Sequence, residues 1–229
     1  MWKSIPGFFA ALLASSACLA ADLTPLETRW LTGAWPVIEF ARQARLALDI
    51  VVQPQPSPGA APLALGFVQG RCKLVLSMRG NPEAQATLER IEPDLLDATL
   101  ELMAAHELGH CRRYLDGAWH DLPVAFSDDD AVDASDAAPG TDLAAMKAAR
   151  REEGYADLVG LAWARQRHPH LYERLHAWLV EERSRDLVRG SPHDTLAWVR
   201  LAEDGAALVG ASIFARPAEL WAAALRVDD

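Results

Sequence analysis

The sequence predicts a mainly helical α+β domain with a small sheet, and three observations support this fold class. Apolar residues recur at helical spacing through most of the chain after residue 93. Before that point, two short apolar runs at 63–68 and 72–76 flank Gln69-Gly70-Arg71, as is typical of a β-hairpin. The 229 residues are 51% hydrophobic, which suffices for one core within a single domain at 21–229.

One helix and one strand are predicted before the hairpin. Residues 26–48 are predicted to be helical, and they offer four large side chains for burial: Trp30, Trp35, Ile38 and Phe40. Residues 49–52 are predicted to form a short strand. Prolines that follow at every second position end this strand: Pro54, Pro56 and Pro58.

A long helix is predicted from Pro93 to about residue 116. Pro93 suits a first helical turn, and Asp94 and Asp97 lie near the positive end of the helix dipole. Gly117 offers a C-terminal stop. The apolar residues of this segment are spaced to form one buried stripe: Leu95, Leu96, Leu100, Met103 and Leu108.

A second long helix is predicted from residue 141 to about 167. Its apolar side would allow it to dock against the first: Leu158, Leu161, Ala162 and Trp163. Three further helices are predicted at 169–188, 192–203 and 216–226 from their periodicity and from the glycines and prolines between them.

The first long helix carries His106-Glu107-Leu108-Gly109-His110, an HExxH motif. Residues four apart lie on one helical face, so His106 and His110 can present two imidazole nitrogens to one zinc ion. Glu107 lies beside them, where it can take a proton from a metal-bound water. The alternative is an exposed helix face that carries these residues by chance. Gly109 costs roughly 1 kcal/mol relative to alanine, which is easier to understand if another backbone comes close there.

A third ligand is expected from the second long helix. Glu153 and Asp157 are four apart, so one carboxylate can complete a His-His-Glu site while the other accepts a hydrogen bond from a ligand imidazole. Glu152 points about 100° away and has no acidic partner four residues later, so Glu153 is preferred. Asp116 is a poorer choice, because it is rotated off the metal face of its helix. A solvated acidic surface is the alternative reading.

These residues resemble a known family. HExxH followed by Glu153-Gly154-Tyr155-Ala156-Asp157 is similar to the pattern of the gluzincin metallopeptidases, such as thermolysin. The finer ExxAD form resembles the HtpX and CAAX prenyl protease family and its soluble periplasmic relatives. The resemblance implies a zincin-like domain whose small sheet packs beside the HExxH helix, with one Zn²⁺ per chain. It also implies the roles of the site residues: His106, His110 and Glu153 as ligands, Glu107 as general base and Asp157 as partner of a ligand imidazole.

His193 is the candidate for a donor that stabilises negative charge on the substrate. It precedes a predicted helix that carries Arg200, an arrangement that loosely resembles the His-then-Arg element of the HtpX-type family. The alternative is a surface histidine beside a helix cap formed by Ser191 or Asp194.

Residues 1–20 are predicted to be a secretory signal, with Lys3 before an apolar core and small residues near its end. A periplasmic or secreted bacterial protein is therefore expected. Lipid anchoring at Cys18 is the alternative, although the segment lacks the leucine that usually begins a lipobox. No later segment reaches about 18 uninterrupted apolar residues, so no transmembrane segment is expected in the mature chain.

Two cysteines, Cys72 and Cys111, remain once the predicted signal is removed. An even pair in an exported chain predicts a disulfide. The bond would hold a strand that begins at Cys72 beside His110. The alternative is a pair of unrelated buried thiols.

The segment 127–140 is acidic and almost free of large apolar groups, so a solvated loop is predicted. A calcium site is an alternative, but the segment lacks the central glycine and the terminal glutamate of an EF-hand loop. A flap over the active-site cleft is a further alternative.

The formal net charge of −10 argues against nucleic acid or an anionic membrane as partner. A peptide or protein substrate is compatible with it.

These observations together predict an exported zinc-dependent metallopeptidase, an endopeptidase, that hydrolyses peptide bonds through a zinc-bound water activated by Glu107. Two alternatives stay open. One is a catalytically silent, peptidase-like chaperone or envelope-assembly factor that retains zinc. The other is a zinc amidase that acts on cell-wall crosslinks.

Overall fold

Seven α-helices and a three-stranded sheet make up the described part of the chain, which confirms the predicted mainly helical α+β class. The computed structural model describes four stretches of the sequence: residues 22–54, 60–122, 143–185 and 187–225. The predicted signal at 1–20, including Cys18, and the acidic segment 127–140 lie outside these stretches. Within them, no helix has both the length and the apolar character needed to cross a bilayer.

The helices and strands follow the predicted order, with one helix added. The helices are α1 (Pro25–Gln43), α2 (Pro82–Glu89), α3 (Leu96–Leu115), α4 (Leu143–Arg167), α5 (Tyr172–Ser184), α6 (Leu196–Leu201) and α7 (Ala215–Ala224). The strands are β1 (Leu48–Pro54), β2 (Leu63–Val68) and β3 (Arg71–Arg79). A short 3₁₀ turn at Ala206–Leu208 precedes α7.

The central strand of the sheet is β3, which pairs in parallel with β1 and antiparallel with β2. The predicted hairpin is confirmed, and its turn consists of Gln69 and Gly70, because Arg71 already pairs with Val68. Both turn residues have positive φ, of 53° and 74°. That conformation matches the twist of a two-residue hairpin, and glycine adopts it without steric cost.

Two predictions for the N-terminal half were wrong and one helix was missed. Trp35, predicted to be available for burial, is 52% exposed, because it lies on the side of α1 that faces away from the core. The helix predicted at 26–48 ends at Gln43, because Arg45 has a φ of 55° and turns the chain into β1. Helix α2 was not predicted, since its eight residues show little periodicity. It is nevertheless well specified locally, because the Asn81 side chain accepts a hydrogen bond from Glu83 N at 3.1 Å and Pro82 occupies the first turn.

The later helices are shorter than predicted. Helix α3 begins at Leu96, three residues after Pro93, and residues 92–95 form a turn before it. Helices α5 and α6 are shorter at both ends than the predicted 169–188 and 192–203. The residues between them therefore form a connecting segment, and this segment includes His193.

Helices α3 and α4 pack closely around glycine. A β-carbon added at Gly109 would lie 3.0 Å from the Cα of Ala156 and 3.2 Å from the Cβ of Val159. One added at Gly160 would lie 3.0 Å from the carbonyl oxygen of Leu102. The expectation that another backbone comes close at Gly109 is confirmed, and the approach brings the HExxH turn directly against α4.

The predicted disulfide is present, so the two cysteines are not unrelated thiols. Cys72 at the start of β3 is bonded to Cys111 in α3, with their Cα atoms 5.6 Å apart and both side chains fully buried. Cys111 directly follows His110. The bond therefore ties the metal-ligand turn of α3 to the central strand.

Removing this disulfide should lower the free energy of unfolding by about 2–4 kcal/mol, since a bridge across a sequence separation of 39 restricts the unfolded chain. The double variant Cys72→Ala with Cys111→Ala would be compared with the oxidised and the reduced wild type by urea denaturation in the presence of a chelator. Reduced wild type should resemble the variant. Identical unfolding midpoints for all three samples would contradict the expectation.

Candidate metal centre

Three side chains from two helices converge on one point. The Nε2 atoms of His106 and His110 lie 3.1 Å apart. One carboxylate oxygen of Glu153 lies 3.3 Å from Nε2 of His106, and the other lies 3.3 Å from Nε2 of His110. The structure thus brings together the three residues that the sequence proposes as zinc ligands.

The helices themselves create this convergence. His106 and His110 are one turn apart on α3, so their imidazoles lie on the same side of it. Gly109, between them, allows α4 to approach closely enough for Glu153 to reach both rings. The two histidines are buried, at 9% and 6% exposure, and the Glu153 side chain is 20% exposed.

Asp157 orients the first imidazole. Its Oδ1 lies 2.9 Å from Nδ1 of His106, and the carboxylate is fully buried one helical turn beyond Glu153. A proton on Nδ1 that is donated to Asp157 leaves the Nε2 lone pair facing the cluster, which is the tautomer that a metal ligand requires. This is the position that the sequence expects for Asp157.

The role of Arg183 in α5 was not predicted from the sequence. Its guanidinium donates two hydrogen bonds to Asp157, at 2.8 and 2.6 Å, and lies 3.7 Å from Glu153. The hydroxyl of Thr195 donates a further bond to Asp157 at 2.5 Å. These contacts hold both oxygens of the Asp157 carboxylate, including the Oδ1 that contacts His106. No local motif marks Arg183, because its role depends on how α5 packs against α4.

Electrostatics favour positive charge at the cluster. Burial alone lowers the pKa of His106, but hydrogen bonds to Asp157 and Glu153 outweigh it and raise that pKa to about 10. Burial raises the pKa of the Glu153 carboxyl, yet its bonds to the two imidazoles hold it well below the ordinary value. A group of carboxylates that retains a proton so strongly on an imidazole also favours a divalent cation in its place.

Glu107 lies on α3 between the two histidines and is half-buried. Burial raises the pKa of its carboxyl, and the neighbouring imidazoles act in the opposite direction. Its carboxylate forms no hydrogen bond or ion pair with another residue in the described stretches. The Glu107 carboxylate therefore lies beside the cluster without a structural partner among the described residues.

His193 lies in the segment between α5 and α6, at the edge of the cluster. Its Nε2 is 3.8 Å from a carboxylate oxygen of Glu153, and its side chain is 69% exposed. The side chain of Asp194 accepts a bond from Gly190 N at 2.9 Å and so closes the turn that carries His193. The structure thus places His193 beside the site but on its solvent side.

The two alternative third ligands point elsewhere. Glu152 is buried and receives hydrogen bonds from Arg113 at 3.0 and 2.9 Å and from the backbone nitrogen of His120 at 2.8 Å. Asp116 accepts a bond from Arg112 at 2.7 Å near the end of α3. Both carboxylates are therefore engaged outside the cluster.

The donor set fits zinc. Two imidazole nitrogens and one carboxylate are a common protein ligand set for a catalytic zinc ion, which leaves one position for water or substrate. Tetrahedral Zn²⁺ with bonds of about 2.0–2.1 Å keeps its ligand atoms about 3.3 Å apart. Here the two Nε2 atoms lie 3.1 Å apart, and each lies 3.3 Å from a different carboxylate oxygen of Glu153. The two nitrogens are thus close to the spacing that the ion needs, and the Glu153 carboxylate reaches both of them.

The second imidazole is held differently from the first. Nδ1 of His110 is buried and has no hydrogen-bond partner among the described residues. Its ring meets the edge of Trp119 at a centroid distance of 5.5 Å, and Trp119 stacks on Tyr114 at 3.9 Å. Aromatic packing therefore orients His110, whereas a carboxylate orients His106.

Comparison with known proteins returned no match, whether against protein-family models, curated proteins or solved structures. The functional interpretation therefore rests on the geometry and chemistry of this chain's own residues. The likeness to the gluzincins remains a resemblance in two motifs.

Replacing Glu153 with alanine should abolish stoichiometric zinc binding, because two imidazoles alone bind the ion far more weakly than three ligands do. Zinc content would be measured by elemental analysis after dialysis, with the fold checked by circular dichroism. Glu181→Ala is a matched control, since Glu181 is a glutamate on α5 that is 76% exposed. Full zinc retention in Glu153→Ala, at the level of the control, would contradict the assignment.

Proposed function

We propose that this protein is an exported zinc-dependent metallopeptidase with a zincin-like domain of the gluzincin type. The observation that supports this most directly is the convergence of His106, His110 and Glu153, whose ligand atoms lie within 4.8 Å of one another, with Glu107 beside them. A site that only stored or sensed a metal would have no need of this free carboxylate.

In the proposed mechanism, the zinc ion and the protein residues have separate roles. When bound, Zn²⁺ acts as a Lewis acid that polarises the scissile carbonyl and makes water more acidic. Glu153 and the two histidines hold it, and Asp157 with Arg183 keeps His106 in the binding tautomer. The chain's part in this division is to fix a cation in a buried, preformed pocket.

Glu107 serves as the general base. It takes the proton from the attacking water and later delivers it to the amine of the departing peptide. Because burial raises the pKa of its carboxyl, Glu107 binds a proton more readily than an ordinary glutamate does. A carboxyl with a pKa closer to neutrality performs both transfers more efficiently.

His193 assists from the solvent side of the cluster. As the carbonyl is attacked, negative charge develops on its oxygen, and a donor placed there stabilises that charge. The position of His193, 3.8 Å from Glu153, supports this role. Its exposure leaves the imidazole free to meet a substrate that enters from solvent.

Export is supported by the disulfide between Cys72 and Cys111, because such bonds persist in oxidising compartments such as the periplasm. The substrate class is a peptide or protein. The alternative is a chaperone or assembly factor that retains zinc but has no catalytic activity. The next experiment would favour it if the wild type binds zinc but cleaves no peptide.

Glu107→Gln should lower peptide hydrolysis by about 10²–10⁴-fold, the usual contribution of general acid–base catalysis. Zinc content should stay near one ion per chain, since Glu107 is not a ligand. Hydrolysis would be measured with casein and with a fluorogenic peptide library, and a chelator would provide the blank. Glu181→Gln serves as a matched control on the surface of α5. Undiminished, chelator-sensitive cleavage by Glu107→Gln would defeat the mechanism.

A further inference from the structure

A cleft of about 680 Å³ opens beside the metal centre. Its lining includes His106, Asp157 and His193. The rest of the lining comes from residues 61–62, from α2 and the residue that follows it, from α3 and α5, and from the segment that follows α5. Protein clefts of roughly 300–1,000 Å³ are the size of ligand-binding sites, so this one has room for several side chains of an extended peptide but not for a folded partner.

Part of the cleft lining is apolar and lies close to the metal centre. Met103 lines the cleft from α3, three residues before His106 and four before Glu107. Residues at these spacings lie on one face within about one helical turn of 5.4 Å. A group that contacts Met103 is therefore next to the reacting centre.

The walls continue this apolar surface. Trp178 and Leu179 contribute from α5, and Leu187 and Val188 contribute from the segment after it. Leu187 is 38% exposed and Val188 is 65% exposed, which is high for aliphatic side chains in a concave site. Covering such surface removes apolar area from water, which is favourable, so this lining favours an apolar occupant.

The charged residues of the lining are already paired with one another. Arg90 contacts Glu83 at 2.6 Å and Glu182 at 3.4 Å. Glu182 also meets Arg185 at 3.5 Å, and Arg183 is bound to Asp157. A charged substrate side chain that enters the cleft would lose hydration and find these charges already neutralised. The cleft therefore discriminates against charge.

We infer, on the basis of the proposed function, that this cleft is the specificity pocket and that it selects a large uncharged side chain, such as Leu, Phe or Met, next to the scissile bond. Trp178 and Met103 determine the selection, because both side chains line the cleft and Met103 lies about one helical turn before Glu107. The occupant is an extended peptide, since the pocket borders the metal centre at His106 and His193 and is too small for a domain.

The test compares two fluorogenic peptides that differ only by Phe or Ala at the position next to the cleaved bond. This position is identified first by mass spectrometry of products from a peptide library. In wild type, kcat/KM should favour Phe over Ala by at least about 10–200-fold, because a single methylene already gives that range in an apolar pocket and Phe adds a whole ring. Trp178→Ala and Met103→Asp should each reduce this ratio at least tenfold. Trp35→Ala, the same change at a tryptophan of α1 that is 52% exposed, should leave the ratio unchanged.

A binding measurement separates this inference from the proposed function. Calorimetry of the Phe and Ala peptides with Glu107→Gln does not need turnover, and Trp178→Ala in that background should remove the preference for Phe. If no peptide is cleaved but the preference in binding depends on Trp178, the peptidase proposal fails and the pocket assignment stands. If peptides are cleaved with a ratio that neither Trp178→Ala nor Met103→Asp alters, the pocket assignment is overturned and the peptidase proposal stands.

Discussion

Helices α3 and α4 approach closely at Gly109, and the candidate metal centre depends on that approach. With a side chain at this position, the backbone at Ala156 would have to move away, and the distance from Glu153 to the two imidazoles would grow with it. The contact also brings Asp157 to His106 and lets α5 add Arg183 behind it. Three carboxylates, those of Glu107, Glu153 and Asp157, then share a small volume with a single guanidinium. The excess of negative charge explains why a divalent cation would stabilise the assembly.

The local parts of this arrangement could be predicted from the sequence. Helix geometry sets which residues share a face, so His106 with His110 and Glu153 with Asp157 follow from a spacing of four. The hairpin followed from its turn residues, and the disulfide followed from the number of cysteines left after the predicted signal. Gly109 was informative for a different reason. A glycine that weakens a helix interior usually has a packing role, and here the role is the contact with α4.

The parts that depend on which elements pack together could not be predicted. Arg183 and Thr195 reach Asp157 from elements whose position no spacing rule gives, and the pairing of Glu152 with Arg113 likewise arises only in the folded chain. The cleft was missed because its lining comes from six separate parts of the chain. Predicted helix boundaries were wrong where the conformation of a single residue sets the boundary. Arg45 after α1 is an example, because its backbone is in the left-handed region. The short helix α2 was not predicted because its N-terminal cap, rather than apolar periodicity, defines it.

Two adjacent glutamates on α4 are held from opposite sides. Glu153 faces the imidazoles, while Glu152 is bound by Arg113, whose guanidinium also lies 4.7 Å above the ring of Trp221 in α7. Any roll of α4 about its long axis would have to break one set of contacts while it strained the other. These contacts therefore resist rotation of α4 and hold Glu153 in place before any cation binds. Such preorganisation would spare the entropy that a loose site loses on binding, so a cation would meet side chains that the fold has already brought together.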